Sequence, residues 1–267
     1  MRSGVLAFMT SLALAWAGST AAAAEAPVTL LISGTTDGRG QAMPLSSETQ
    51  SLLRFLEQET GLTFEVQAYP WQRALRMASQ GEGLLFGASR TAERQQTLSF
   101  SEPLYRESAW LVARCDRTFD YQQLSQLDGK TLGAVRGAIN GPGFDAAVRA
   151  GRFRLDYETG DSRARFEKLL LGRTDALLIY SRWPAPDVER ALQERYGMLG
   201  AREPEPMRRH PFCVMPQPVF SDDVHMATAI GHHAEVLQRI NRALVQGRAS
   251  GRLAQVMRDA AKGRLLP

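Results

Sequence analysis

Arg94 is the residue of this sequence best placed to do binding chemistry. Its guanidinium is always charged and offers a rigid fork that matches a carboxylate. It follows Leu84-Leu85-Phe86, which reads as a buried strand, and a turn through Gly87-Ala88-Ser89-Arg90-Thr91. Strand ends are where α/β sheets present ligands. Ser89 offers a hydroxyl and an amide beside it. Upstream, Tyr69 and Trp71 flank a strand-to-helix turn and offer rings for stacking. Plainer roles stay open: a surface ion pair for Arg94, core packing for Tyr69 and Trp71. The chemistry in view is capture of a small anionic or zwitterionic molecule.

Motifs for other chemistry break down on spacing. Gly129-Lys130-Thr131 ends like a phosphate loop, but the opening glycine would be at position 124, which is Leu124. Gly133, Gly137, Gly141 and Gly143 are misspaced for a dinucleotide turn. Gly87-Ala88-Ser89-Arg90-Thr91 lacks the closing glycine of a serine-hydrolase elbow. His232 and His233 are adjacent, so on a helix they point about 100° apart and cannot share a metal. His210 and His225 stand alone in sequence. No metal and no cofactor is expected.

The start of the chain points to export. Arg2 precedes an apolar run from Val5 to Ala17, and Ala22-Ala23-Ala24 precedes Glu25. That is the pattern of a secretory signal peptide, residues 1–24, and the run is short of the roughly 20 residues that a membrane span needs. No cysteine near the cleavage point could carry a lipid. The expected location is the periplasm. With 32 basic and 28 acidic residues the net charge is +4, and the charges are scattered. Without a basic stripe interleaved with aromatics, nucleic acid is excluded as a partner. Cys115 and Cys213 have no metal-type spacing. In an oxidising compartment they suggest one disulfide, two buried thiols being the alternative.

The elements that must hold Arg94 follow an α/β rhythm. Strands are read at residues 28–32, 63–69, 84–86, 108–114, 131–136, 154–158, 176–180 and 211–215. Helices are read at 46–60, 71–79, 142–150, 161–171, 186–196, 232–245 and 250–261. Such alternation argues for mostly parallel sheets flanked by helices.

Ser89-Arg90-Thr91-Ala92-Glu93-Arg94 followed by Phe100-Ser101-Glu102-Pro103-Leu104-Tyr105 resembles the family 3 extracellular solute-binding proteins, of the type that binds polar amino acids. Their pattern is a strand, Ser/Thr-x-Thr-x-x-Arg, then Phe-Ser-x-Pro-Tyr. Pro70-Trp71-Gln72-Arg73-Ala74, Leu127-Asp128-Gly129-Lys130-Thr131-Leu132-Gly133 and Leu170-Leu171-Gly172-Arg173-Thr174-Asp175-Ala176 match further stretches, in the family's order. The resemblance implies a type II periplasmic binding protein fold: two α/β lobes and two crossing hinge strands. Residues 25–112 plus 215–267 would form lobe one, and 113–214 lobe two. It implies a monomer, not an enzyme, that closes on a small polar solute and serves an ABC permease or a membrane sensor.

The site would take Tyr69, Trp71, Ser89 and Arg94 from lobe one and Asn140 and Tyr180 from lobe two. Two positions depart from the family. Tyr180 stands where an acid receives the ligand ammonium, and Ile139 where a hydroxyl helps hold the carboxylate. The carboxylate end is thus kept and the ammonium end lost, so ordinary α-amino acids should bind poorly. Two other functions stay open. One is a dehydratase-like enzyme, with Asp37 or Glu102 as acid; the other is an interaction module with a degenerate cleft. Cys115 would end the outgoing hinge strand and Cys213 lie on the returning one, within reach of a bridge.

Overall fold

The computed structural model describes residues 25–34, 44–158 and 162–262. The segment 1–24, expected to be a signal peptide, and Asp37 lie outside the described residues. No helix among the described residues is long and apolar enough to cross a membrane.

The first lobe opens with β1 (Val28–Ser33), α1 (Ser47–Thr60), β2 (Phe64–Tyr69), α2 (Trp71–Ser79) and β3 (Leu84–Ser89). Local chemistry sets these boundaries. Ser46 caps α1 by accepting from the Thr49 amide at 3.2 Å, and Gly61 ends it at φ 70°. That left-handed conformation suits glycine. β1 pairs in parallel with both β2 and β3. Leu30 and Ile32 point into one apolar core, and Leu31 into a second on the opposite sheet face, as period-two alternation requires.

β4 (Leu98–Arg114) then runs out of the first lobe. The second lobe holds β5 (Thr131–Val135), α3 (Phe144–Arg149), β6 (Arg154–Glu158), α4 (Ser162–Leu170), β7 (Ala176–Ser181), α5 (Ala185–Tyr196) and β8 (Phe212–Val214). β9 (Phe220–Ala229) returns, and α6 (Ala234–Ala249) and α7 (Arg252–Lys262) pack back on α1. The strands form one sheet in the order β2-β1-β3-β9-β4-β7-β5-β6, with β8 added beside β4.

Four features differ from the sequence expectation. The sheet is mixed rather than mostly parallel, because every pairing made by β4 or β9 is antiparallel. The strand expected at 108–114 begins at Leu98. β9 was not foreseen at all. The returning crossing strand is therefore β9, and β8, which carries Cys213, stays within the second lobe. The cores also change hands away from residues 112/113 and 214/215. Ala109, Leu111 and Met215 pack in one second-lobe core and Trp110 and Val112 in the other, while Leu104 and Val224 are buried toward the first lobe or the crossing.

Between the cores, β4 and β9 are held by polar contacts. Ser108 and Ser221 share a hydroxyl hydrogen bond at 2.7 Å, and Arg106 meets Asp223 at 3.4 Å. Pro103 has no amide to donate to the ladder and sits where the β4–β9 register shifts. A buried Leu is worth roughly 1.5–3 kcal/mol, and such residues lie in the lobes. The crossing is where the lobes can turn relative to each other.

Candidate ligand-binding cleft

A cavity of about 270 Å³ lies between the lobes. Its first-lobe wall is built at the end of β3. From Ser89 the chain turns and enters a short 3-10 helix at Arg94, where the Arg94 amide donates to Thr91 Oγ1 at 3.2 Å. The Arg94 side chain, only 8% exposed, donates from Nη1 to the Ser89 carbonyl at 3.0 Å and from Nη2 to the Gly137 carbonyl at 2.8 Å. Trp71 Nε1 donates to the same carbonyl at 3.0 Å, and the guanidinium lies 5.5 Å from the Trp71 ring centre, within cation–π range. Two first-lobe side chains thus grip one second-lobe carbonyl. Burial lowers the Arg94 pKa from its ordinary value, but an arginine stays charged.

The opposite wall comes from Val135, Ala138, Ile139 and Tyr180. The Tyr180 hydroxyl donates to Asn140 Oδ1 at 2.5 Å. Burial pushes the Tyr180 phenol above its ordinary range, so it remains a neutral donor.

Four of the six residues expected at the site line this cavity: Trp71, Ser89, Arg94 and Tyr180. Tyr69 and Asn140 do not. Tyr69 ends β2 and packs beside the first-lobe core, with Arg73 over its ring at 4.3 Å and its hydroxyl on Gln67. Asn140 is buried behind Tyr180 and fixes its hydroxyl. Of the two acids considered for an enzyme, Glu102 is exposed at the β4 bulge, outside the cavity wall. The other, Asp37, lies outside the described residues.

Sequence reasoning missed Glu107 and Tyr105, both on the cavity wall. They share a face of β4, since side chains two apart on a strand point the same way. Along that face Tyr105 packs on the first-lobe core and Ala109 lies in a second-lobe core. Glu107 sits between them, where the apolar face is interrupted by the cleft. Burial pushes its carboxyl up to about 7. The one signal in the sequence was an acid two residues before the apolar run Ala109–Ala113. A second cavity of about 240 Å³ shares Thr49, Tyr105, Glu107 and Tyr180 with the first and extends to Glu48 and Arg182.

Cys115 and Cys213 are joined by a disulfide, with Cα atoms 4.9 Å apart. The bridge ties the end of β4 to β8 inside the second lobe. His210 approaches both sulfurs, in the only group of metal-type ligands among the described residues; the disulfide occupies both sulfurs, and His210 shares a hydrogen bond with Glu189 at 2.8 Å.

The fold and cleft are those of two-lobed periplasmic binding proteins. The profile of the bacterial extracellular solute-binding proteins, family 3, matches residues 48–260, and the chain belongs to that family. Solved structures with similar folds include an ancestral arginine-binding protein bound to arginine, at 17% identity and TM-score 0.67 over 89% of this chain and 99% of that one. Another is an amino acid ABC transporter substrate-binding protein from Streptococcus pneumoniae bound to L-arginine, at 17% identity and TM-score 0.66 over 90% and 97%. A third is a histidine kinase sensor domain with similarity to periplasmic binding proteins, at 16% identity and TM-score 0.67 over 88% and 96%. No curated protein sequence matches the chain.

Proposed function

We propose that this protein captures a small, carboxylate-bearing polar solute between its lobes in the periplasm and presents it to an ABC permease or a membrane sensor. The observation that carries this reading is the buried Arg94 guanidinium on the cleft wall. Two of its N–H groups bond to carbonyls, and an arginine has five. The remainder of the fork suits a carboxylate. The polar crossing of β4 and β9 supports closure on the ligand, and the grip on the Gly137 carbonyl supports a closed state held from both lobes. Similar folds occur both in transporter components and in a sensor domain, which is why both outlets belong to the proposal.

The test is a thermal-shift screen of protein purified from the periplasm against amino acids, organic acids, oligopeptides and amines. A ligand present at a hundred times its Kd should stabilise the fold by about 2.7 kcal/mol. A flat screen would refute solute capture.

Glu107 gives the enzymatic reading a specific footing, because a carboxyl pushed up to about 7 in a cleft suits a general acid. Incubation with prephenate-like acids decides this point: product formation that Glu107→Gln abolishes would make the protein a dehydratase.

A further inference from the structure

We infer that Cys115, Cys213 and His210 form a zinc site that opens when a dithiol reduces their disulfide, so that the bridge and a bound Zn²⁺ are alternative clasps of the second lobe. The three residues lie outside the walls of both cleft cavities, and the site is independent of solute capture.

The backbone brings the three ligands together before any metal arrives. β8 pairs antiparallel with the end of β4, with Cys213 opposite Ala113, and the Cys115 amide donates to the Pro211 carbonyl at 3.2 Å. His210-Pro211-Phe212-Cys213 is therefore held alongside Cys115. One donor atom from each of the three residues lies within 4.8 Å of the other two. In a tetrahedral zinc site, with Zn–S about 2.3 Å and Zn–N about 2.0 Å, the donors are roughly 3.5–3.8 Å apart. Once the S–S bond is broken, rotation about the Cα–Cβ bonds covers that difference without moving the strands. Spacing alone hid the trio, because Cys115 and Cys213 are separated by 98 residues.

The second observation is the partner of the imidazole. Glu189 on α5 accepts from the Val214 amide at 2.7 Å through Oε2 and meets His210 Nε2 at 2.8 Å through Oε1. A carboxylate on Nε2 holds the proton there and leaves the Nδ1 lone pair for a metal, the arrangement that orients metal-binding histidines. An intact disulfide gains little from such a ring, since its sulfurs are poor hydrogen-bond acceptors. His210 is exposed and both cysteines are only partly buried, which gives reductant and ion a way in. Two thiolates and an imidazole are a donor set that favours zinc, with water in the fourth position.

The chemistry balances in two steps. A dithiol gives two electrons and two protons to the S–S bond; the protein gains two thiols and the reductant leaves as its own disulfide. Zn²⁺ then displaces both thiol protons to solvent and binds the two thiolates. Metal and oxidation compete for the same sulfurs, so a loaded site resists re-formation of the bridge.

The experiment uses tag-free protein, reduced with dithiothreitol, freed of it without oxygen and titrated with Co²⁺ and then Zn²⁺. Reduced wild type should take one Co²⁺ per chain, with thiolate-to-cobalt absorption that Zn²⁺ abolishes. Oxidised protein and the Cys115→Ser/Cys213→Ser variant should show no such absorption. Competition with a chromogenic chelator reads the zinc affinity. His210→Ala should weaken it by roughly a hundredfold and Glu189→Gln by roughly tenfold, the span over which outer-shell losses fall. His210→Gln is the second variant, in case the deletion disturbs β8, and far-UV circular dichroism of each reduced protein certifies its fold. Reduced wild type that keeps its ellipticity but shows no thiolate-to-cobalt absorption would overturn the inference. So would loss of that ellipticity on reduction, or wild-type zinc affinity in the His210 variants.

Discussion

The two walls of the cleft are built on different principles. The first-lobe wall is local: Ser89, Thr91 and Arg94 belong to one turn, and Trp71 opens the helix beside it. Its polar groups find partners within that turn or reach across to Gly137. The other side is assembled from distant stretches, with Ile139 after β5, Tyr180 on β7 and Glu107 on the crossing strand. Here a partly buried tyrosine is tied to a buried asparagine, while the Glu107 carboxylate has no hydrogen-bond or ion-pair partner among the described residues and lines the cavity. The first wall is preorganised for an anion; the second keeps one polar group in reserve. Fixed charge and reserved charge should respond differently to mutation.

The largest effect should follow removal of the fixed charge. Arg94→Ala should weaken binding of the cognate ligand by about 2–5 kcal/mol, the usual loss when one partner of a buried charge pair is truncated. The mutant should melt only modestly lower, because Gly137 retains Trp71 as a donor. Arg94→Lys should recover little, since an ammonium cannot reproduce the fork. Calorimetry beside thermal melts separates the two effects. Unchanged affinity in Arg94→Ala would remove the first wall from the ligand site.

Next comes the lobe that carries the second wall. Its disulfide closes a separation of 98 residues, so chain entropy puts the contribution at about 4.7 kcal/mol, less any residual structure in the reduced state. The Cys115→Ser/Cys213→Ser double variant should unfold in two steps in denaturant, second lobe first, with the Arg94 wall outlasting it. Thiols that alkylate fully in the native protein before reduction would show that the bridge does not form.

The contrast between the walls also explains what the sequence made legible. Arg94 and Ser89 were readable because strand, turn and fork are contiguous, and Trp71 because it opens a short helix. The α/β alternation showed in the same way, through apolar runs such as Leu30-Leu31-Ile32 and Leu177-Leu178-Ile179. β9 was hidden because its first half, Phe220-Ser221-Asp222-Asp223, crosses between the lobes without a covering core and so reads as a polar loop. With β9 missing, β8 took its place as the returning strand, and the lobe boundaries moved with it. Glu107 was hidden for the same reason: an acid on a crossing strand looks like any surface acid. Only the β4–β9 and β4–β7 pairings bring it to the cleft. Tyr69 packs beside a core rather than lining the cavity, because a ring at a strand end can face either way and neighbouring residues do not settle which.

The reserved charge should appear in stability. Folding raises the Glu107 pKa from 4.5 to about 7. Between those values the folded state binds more protons than the unfolded one, so stability falls as pH rises through that window and stays reduced above it. Glu107→Gln removes this dependence. Without ligand, the variant should be more stable than wild type by about 1–3 kcal/mol at pH 8 and nearly equal to it at pH 4. Melting curves across that range measure it. A constant difference between the two proteins would mean that Glu107 keeps an ordinary pKa, and the contrast between the walls would lose its electrostatic basis.

The smallest expected effect tests how the walls meet. Trp71→Phe deletes one donor to the Gly137 carbonyl but leaves Arg94 Nη2 bonded to it at 2.8 Å. The carbonyl is never orphaned, so the loss should be that of an ordinary hydrogen bond, about 0.5–1.5 kcal/mol. Phenylalanine keeps a ring face near the guanidinium, which retains part of the cation–π contact. The contact joins the two lobes, so its loss should favour the open form and weaken the ligand by roughly three- to tenfold, mainly through faster dissociation. Stopped-flow rates against ligand concentration read this directly. A slower association with unchanged dissociation would instead place Trp71 at the entrance to the cleft, and the grip on Gly137 would then rest on Arg94 alone.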